Sequence, residues 1–135
     1  MPIRWWLVYS LDMFHKKIVL FIDDNPLDRT LISRLLEKYD FEVLLADNGL
    51  EGLDMAQKRK PDIILLDIPL PGISGIEMCK NFIRNPLTKD IPVIFYTSID
   101  TPKHLIDYAS YGARDYVQKT MPPEALIAAI KAILK

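Results

Sequence analysis

From Lys16 onward, short apolar runs alternate with stretches in which hydrophobic residues recur at helical spacing. Ile18-Val19-Leu20-Phe21-Ile22 is continuous and apolar, as a strand covered on both faces would be. Leu27, Leu31, Ile32, Leu35, Leu36 and Tyr39 then follow the period of a helix. Phe41 to Ala46 reads as a second strand. Asn48 is placed to cap a helix that carries Leu50, Leu53, Met55 and Ala56. Pro61 opens a third strand, Ile63-Ile64-Leu65-Leu66-Asp67, and Ile76, Cys79, Phe82 and Ile83 line the helix after it. Pro92 precedes strand four, Val93 to Thr97. Leu105, Ile106 and Ala109 predict a fourth helix, closed by Gly112. Asp115 to Gln118 is a short fifth strand. Pro122 and Pro123 start a last helix, with Leu126, Ile127, Ile130, Ile133 and Leu134 inside; proline suits a first turn, where its missing N–H is no loss.

Five strands alternating with five helices predict an α/β fold, a doubly wound parallel sheet covered on both faces. In such sheets the functional residues gather at the carboxyl ends of the strands. The first fifteen residues stand apart as an extension, and residues 16–135 form the domain. The run Trp5-Trp6-Leu7-Val8-Tyr9-Ser10-Leu11 is too short to span a bilayer, which needs about 20 residues. A packing arm, a frayed end and a start at Met13 remain equal readings of that extension. The loop from Arg84 to Asp90 is polar and expected to be exposed.

Composition narrows the chemistry. The 17 basic and 18 acidic residues among 135 leave a formal charge of −1, so no global attraction to nucleic acid or anionic membrane is present. A single cysteine excludes an intrachain disulfide and a cysteine-based metal cage. Cys79 reads as a buried, inert thiol on the apolar face of its helix. His15 and His104 read as surface residues, and Lys58-Arg59-Lys60 as a solvated helix end.

The strand ends carry the signal. Strand one ends in Asp23-Asp24 and strand three in Asp67, so three carboxylates converge if those strands are neighbours. Two like charges about 4 Å apart repel by roughly 4 kcal/mol at an effective dielectric near 20. A hard divalent cation such as magnesium relieves that repulsion. Strand four ends in Thr97-Ser98 and strand five in Lys119, which the same geometry aims at the carboxylates. Neither a G-x-G-x-x-G turn nor a G-x-x-x-x-G-K-[ST] loop is present.

Four pieces of this pattern resemble the receiver domain of two-component response regulators, of the stand-alone, chemotaxis-regulator type. They are Val19 to Asn25, Leu65 to Gly75, Pro92 to Ser98, and Gly112 to Lys119. The resemblance implies a flavodoxin-like (βα)5 fold with strand order 2-1-3-4-5. It implies Asp67 as phosphoacceptor, taking a phosphoryl group from a phosphohistidine on a sensor histidine kinase or a histidine phosphotransfer protein. It implies magnesium held by Asp24, Asp67 and the backbone carbonyl of Pro69, with Asp23 on a metal-bound water. Thr97 and Lys119 are implied to bind phosphoryl oxygens. Tyr116 matches the aromatic residue that turns inward as Thr97 moves. The chain then acts as a cytoplasmic switch, catalysing only its own phosphorylation and dephosphorylation. It signals to an output protein the sequence does not name, with no direct nucleic-acid or membrane contact, and it could pair as a homodimer. With no output domain expected after the last helix, output is expected through a partner or onward transfer.

Two departures from the family pattern stand out. Thr120 follows Lys119 where the family usually has a cis proline; a non-proline cis bond costs about 3 kcal/mol, so the reach of Lys119 depends on the loop. Ser98 stands where alanine is usual. Pro69 and Ile99 offer no polar side chain to orient an attacking water, which predicts slow loss of the phosphoryl group. The alternatives are a phosphorylation-independent pseudo-receiver acting as an interaction module, and a small phosphatase of the haloacid-dehalogenase type. The latter carries a second aspartate two residues after its nucleophile, whereas Asp23 and Asp24 are adjacent.

Overall fold

The structure, a computed structural model, describes residues 15–102 and 105–135. Five parallel strands form one sheet: β1 (Ile18–Ile22), β2 (Glu42–Ala46), β3 (Ile63–Leu66), β4 (Val93–Thr97) and β5 (Asp115–Gln118), in the order β2-β1-β3-β4-β5. The described helices are α1 (Pro26–Lys38), α2 (Gly49–Arg59), α3 (Gly75–Arg84) and α4 (Pro123–Leu134). This is the doubly wound architecture and the strand order that the hydrophobic pattern and the resemblance imply. Of the predicted extension only His15 is described, and it is exposed; the tryptophan run, Met13 and His104 lie outside the described residues.

The pleat explains why β1 and β3 are apolar throughout. Leu20, Ile22, Ile64, Leu66 and Phe95 face one side, where Ala56 of α2 and Met78, Cys79 and Phe82 of α3 cover them. Val19, Phe21, Ile63, Leu65, Ile94 and Val117 face the other, under Ile32 and Leu36 of α1 and Leu126, Ile127 and Ile130 of α4. Alternate side chains thus enter two separate cores, and the inner strands β1, β3 and β4 need apolar residues at both parities.

Local chemistry starts and ends the helices. Asn25 accepts from the N–H groups of Leu27 and Asp28, and Pro26 follows it in the first turn. Asn48 accepts from the N–H of Glu51, and Ser74 from that of Glu77. The apolar stripe of α1 is narrower than its periodicity predicts. Ile32 and Leu36 are buried, but Leu27, Leu31 and Tyr39 are exposed. Their Cβ atoms lie on the flank of a helix that only one row of side chains presses against the sheet. Ile83, expected on the apolar face of its helix, is exposed as well, and so is Leu50.

Among the described residues no α-helix covers Leu105, Ile106 and Ala109: the Leu105 N–H makes a 3-10 bond to the Pro102 carbonyl at 2.9 Å, and residues 108–112 form turns. The side chains explain it. Asp107 Oδ1 accepts from the Ser110 N–H at 3.3 Å, and the Ser110 hydroxyl donates to the Asp107 carbonyl at 2.9 Å. Such local bonds compete with a helical ladder. Gly112 then takes a φ of +99°, a conformation open to glycine. The segment still covers the sheet, because Ile99, Ile106, Tyr108 and Tyr111 pack against the α3-side core. The Arg84–Asp90 loop holds one departure from exposure: Thr88 is buried, and its hydroxyl donates to the Phe82 carbonyl at 2.7 Å.

Candidate functional site

β1 and β3 are hydrogen-bonded neighbours in parallel register, with Ile22 opposite Leu66. The next residues along each strand, Asp23 and Asp67, therefore emerge side by side. The Asp67 N–H donates to the Ile22 carbonyl at 3.0 Å and the Asp23 N–H to the Ala46 carbonyl at 3.0 Å, so the ladder carries both aspartates past the strand ends. Carboxylate oxygens of Asp23, Asp24 and Asp67 all lie within 4.8 Å of one another. Asp23 and Asp67 are buried, while Asp24 is exposed toward solvent.

β5 pairs with β4, and the Lys119 N–H donates to the Thr97 carbonyl at 2.8 Å. That bond sets the origin of the Lys119 side chain, which crosses to the carboxylates. Its ammonium bonds Asp67 Oδ2 at 2.9 Å and Asp28 Oδ2 at 2.8 Å, and makes a short contact with Asp23 Oδ2. The described chain contains no cis peptide bond, so Lys119–Thr120 is trans. Lys119 reaches the site through that trans bond without the family's proline.

The other oxygens of the two buried aspartates are held by backbone. Asp67 Oδ1 accepts from the Ile68 N–H at 2.8 Å, and Asp23 Oδ1 from the Asn25 N–H at 2.9 Å. Gly75 closes the loop after Asp67: its N–H donates to the Ile68 carbonyl at 2.8 Å. A Cβ at position 75 would lie 2.0 Å from the Asp67 carbonyl oxygen and 2.7 Å from the Ile68 Cα. No other residue fits so close an approach of backbone to backbone.

Thr97 is fully buried at the tip of β4, and its hydroxyl oxygen accepts from the Ile99 N–H at 3.3 Å. Tyr116 is buried and points inward, its hydroxyl donating to the carbonyls of Ile99 (3.1 Å) and Thr101 (2.8 Å). Pro69 is exposed, two residues beyond Asp67, and Ser98 is exposed beside Thr97.

Three participants escape a reading of strand ends alone. Asp28 arrives from the first turn of α1. Arg29 Nη1 donates to the Asp23 carbonyl at 2.7 Å. Gln118 Nε2 donates to the same Ile99 and Thr101 carbonyls as Tyr116, at 3.2 and 3.1 Å. A helix opening directly after an acidic strand end is the available signal for Asp28 and Arg29, because its first turn must lie over the same edge of the sheet.

Burial is the largest influence on the Asp23 carboxyl and raises its pKa, and the Asp67 charge adds to this; Lys119 and the Asn25 N–H oppose it. For Lys119 the largest influence, burial, lowers the pKa, but the bonds to Asp23, Asp28 and Asp67 outweigh it and the net direction is upward. Burial pushes the Cys79 thiol up to about 12, in keeping with an inert core residue.

The sign for Asp23 has a testable consequence. An acid with a raised folded pKa favours folding below its ordinary value of 3.8, and that advantage is lost as pH rises through the folded value. Ionised Asp23 therefore costs stability at neutral pH without metal. Asp23→Asn, which keeps an acceptor for the Asn25 N–H, is expected to raise the metal-free melting midpoint by about 3 °C at pH 7. It should also shrink the stabilisation that magnesium gives. Thermal melts in chelator and in magnesium measure both, and a lower metal-free midpoint contradicts the account.

A family model for the response regulator receiver domain matches residues 19–131. The chain belongs to the response regulator receiver domain family. The receiver is 35% identical over 116 residues to Protein PilH of Pseudomonas aeruginosa, covering 86% of this chain and 96% of PilH. It is 40% identical over 119 residues to the phosphate regulon transcriptional regulatory protein PhoB of the same organism, covering 88% of this chain. There it spans only 52% of the relative, about half its length. Among solved structures, the BeF3-activated N-terminal receiver domain of Klebsiella pneumoniae RstA superposes with a TM-score of 0.81 at 33% identity, covering 88% of this receiver and 99% of that chain. Among the described residues, no helix of the receiver is long and apolar enough to cross a membrane.

Proposed function

We propose that this receiver accepts a phosphoryl group on Asp67 from a phosphohistidine of a sensor kinase or phosphotransfer protein, and signals the change to a partner from the cytoplasm. The observation that carries the reading is the juxtaposition of Asp67 Oδ2 with the Lys119 ammonium at 2.9 Å inside a cluster of three carboxylates. A carboxylate oxygen of Asp67 attacks phosphorus; a P–O bond forms, the P–N bond breaks, and its electron pair returns to the imidazole nitrogen. Lys119 stabilises the charge on the phosphoryl oxygens, as fixed cations do in phosphoryl transfer. Thr97 is the second phosphoryl-binding residue in this reading.

The donor set fits magnesium. Asp23, Asp24 and Asp67 present hard oxygens within reach of one another, and the Pro69 carbonyl would complete the protein's share. When bound, the ion supplies positive charge that offsets the carboxylates and the incoming phosphoryl group. The RstA receiver, solved in a BeF3-activated state, supports the same chemistry in a relative. Tyr116, already inward and bonded to the 99–101 carbonyls, would communicate occupancy of the site through Ile99, which also bonds Thr97. The pseudo-receiver alternative drew its support from Thr120, and Lys119 reaches the carboxylates regardless.

Incubation with acetyl phosphate followed by intact-mass spectrometry tests the reading. A gain of one phosphoryl group that requires magnesium and is absent from Asp67→Ala is expected. No gain in a folded sample contradicts it. With Pro69 and Ile99 flanking the site, the same samples should lose the group slowly after donor removal, and a lifetime of seconds would contradict that part.

A further inference from the structure

We propose that Asp28 is a positioning residue acting through Lys119: it occupies one of the three ammonium donors and competes for it with phosphoryl oxygens arriving at Asp67. The inference rests on the phosphoacceptor reading above and deepens it. An ammonium offers three N–H donors and accepts nothing. Here all three are taken, by Asp23, Asp28 and Asp67. A phosphoryl oxygen can bond Lys119 only if one of these carboxylates releases it.

The three are not equivalent. Asp23 and Asp67 are buried, each pinned through its second oxygen by a backbone N–H, and both belong to the carboxylate cluster. Asp28 comes from a helix turn rather than a strand end and lies outside that cluster. Its side chain is 30% exposed, against 0% for Asp23 and 6% for Asp67. It alone can exchange Lys119 for water and for the N-terminal end of α1, where a carboxylate is favoured. Asp28 therefore holds Lys119 while Asp67 is free and yields it when Asp67 is modified. That competition lowers the affinity of the site for a phosphoryl group.

Beryllofluoride, a phosphoryl mimic, provides the test. It is titrated with magnesium into the full chain and followed by fluorine NMR. Asp28→Asn, with Asp28→Ser as a second variant, is expected to bind it roughly three- to tenfold more tightly than the wild type. Asp28→Glu, which restores a carboxylate, should return to wild-type affinity. In a Lys119→Met background, Asp28→Asn should have no effect. A merely structural role predicts weaker binding instead. Unchanged or weaker binding by the Asp28 variants overturns the proposal. So does the same gain without Lys119, which would make Asp28 a source of field alone. Failure of the phosphoacceptor reading looks different: no protein of the set, wild type included, takes up beryllofluoride, and this inference falls with it.

Discussion

Gly75→Ala is expected to destabilise the receiver by about 3 kcal/mol or more and to lower its melting midpoint by roughly 10 °C. The added Cβ meets backbone on the other side, 2.0 Å from the Asp67 carbonyl oxygen and 2.8 Å from the carbonyl carbon. A flexible side chain could move aside; the peptide unit that carries the phosphoacceptor cannot move without dragging Asp67. The same substitution should therefore slow phosphorylation even in the fraction that remains folded. Gly52→Ala is the control, because the Cβ there meets the far end of the Ile22 side chain, which can turn aside, rather than the Asp67 peptide unit. Thermal melts and phosphorylation rates of the two variants separate a general packing defect from a displaced phosphoacceptor. Equal phosphorylation rates per folded molecule in both would show that Gly75 does not set the position of Asp67.

Lys119→Met should have the largest effect on both stability and chemistry together. Methionine keeps the length of the side chain but leaves Asp23, Asp28 and Asp67 without their shared cation. Removing one partner from a buried ionic cluster costs about 3–5 kcal/mol. The partial exposure of Asp28 places this site near the lower end. The pH dependence follows from the direction of the Lys119 shift. A raised lysine pKa stabilises the fold below the ordinary value of 10.5 and loses that contribution as pH rises through the folded value. The deficit of Lys119→Met should accordingly be full at pH 7. It should narrow above pH 10.5, where the lysine of the unfolded chain gives up its proton while Lys119 in the fold still holds one. Magnesium should restore part of the lost stability. The rate of phosphorylation should still fall by about 100-fold or more, the usual effect of removing a donor aimed at developing charge. Full phosphorylation by Lys119→Met would remove Lys119 from the chemistry.

The parts of this site readable in the sequence are those that topology alone places. Once β1 and β3 are adjacent and parallel, Asp23 and Asp67 must emerge together, and Lys119 must leave β5 at the same edge. Apolar runs of four or five residues make that argument possible, because two covered faces leave no polar position in the strand. Asp28 and Gln118 were not readable, since their roles depend on how far a side chain reaches and which carbonyls a loop turns toward it. The β4–β5 connection shows a different limit. Leu105, Ile106 and Ala109 have the spacing of a helix, yet the bonds between Asp107 and Ser110 satisfy the backbone in another way. Periodicity records which residues need cover; here Ile106 and Tyr108 find it from turns. For α1 the pattern was right about the helix and wrong about its width, because Leu27 and Leu31 lie on a flank that nothing in the described chain covers.

The central claim is that Asp67, among the clustered carboxylates, carries the phosphoryl group. Borohydride reduction of the phosphorylated receiver tests it most directly, since an acyl phosphate is reduced to an alcohol and leaves homoserine in the chain. Peptide mass spectrometry then locates the reduced residue. The account predicts homoserine at position 67 alone, in samples given both phosphodonor and magnesium. Homoserine at position 23 or 24, or a phosphoryl group retained on a histidine or hydroxyl residue with Asp67 intact, would contradict it.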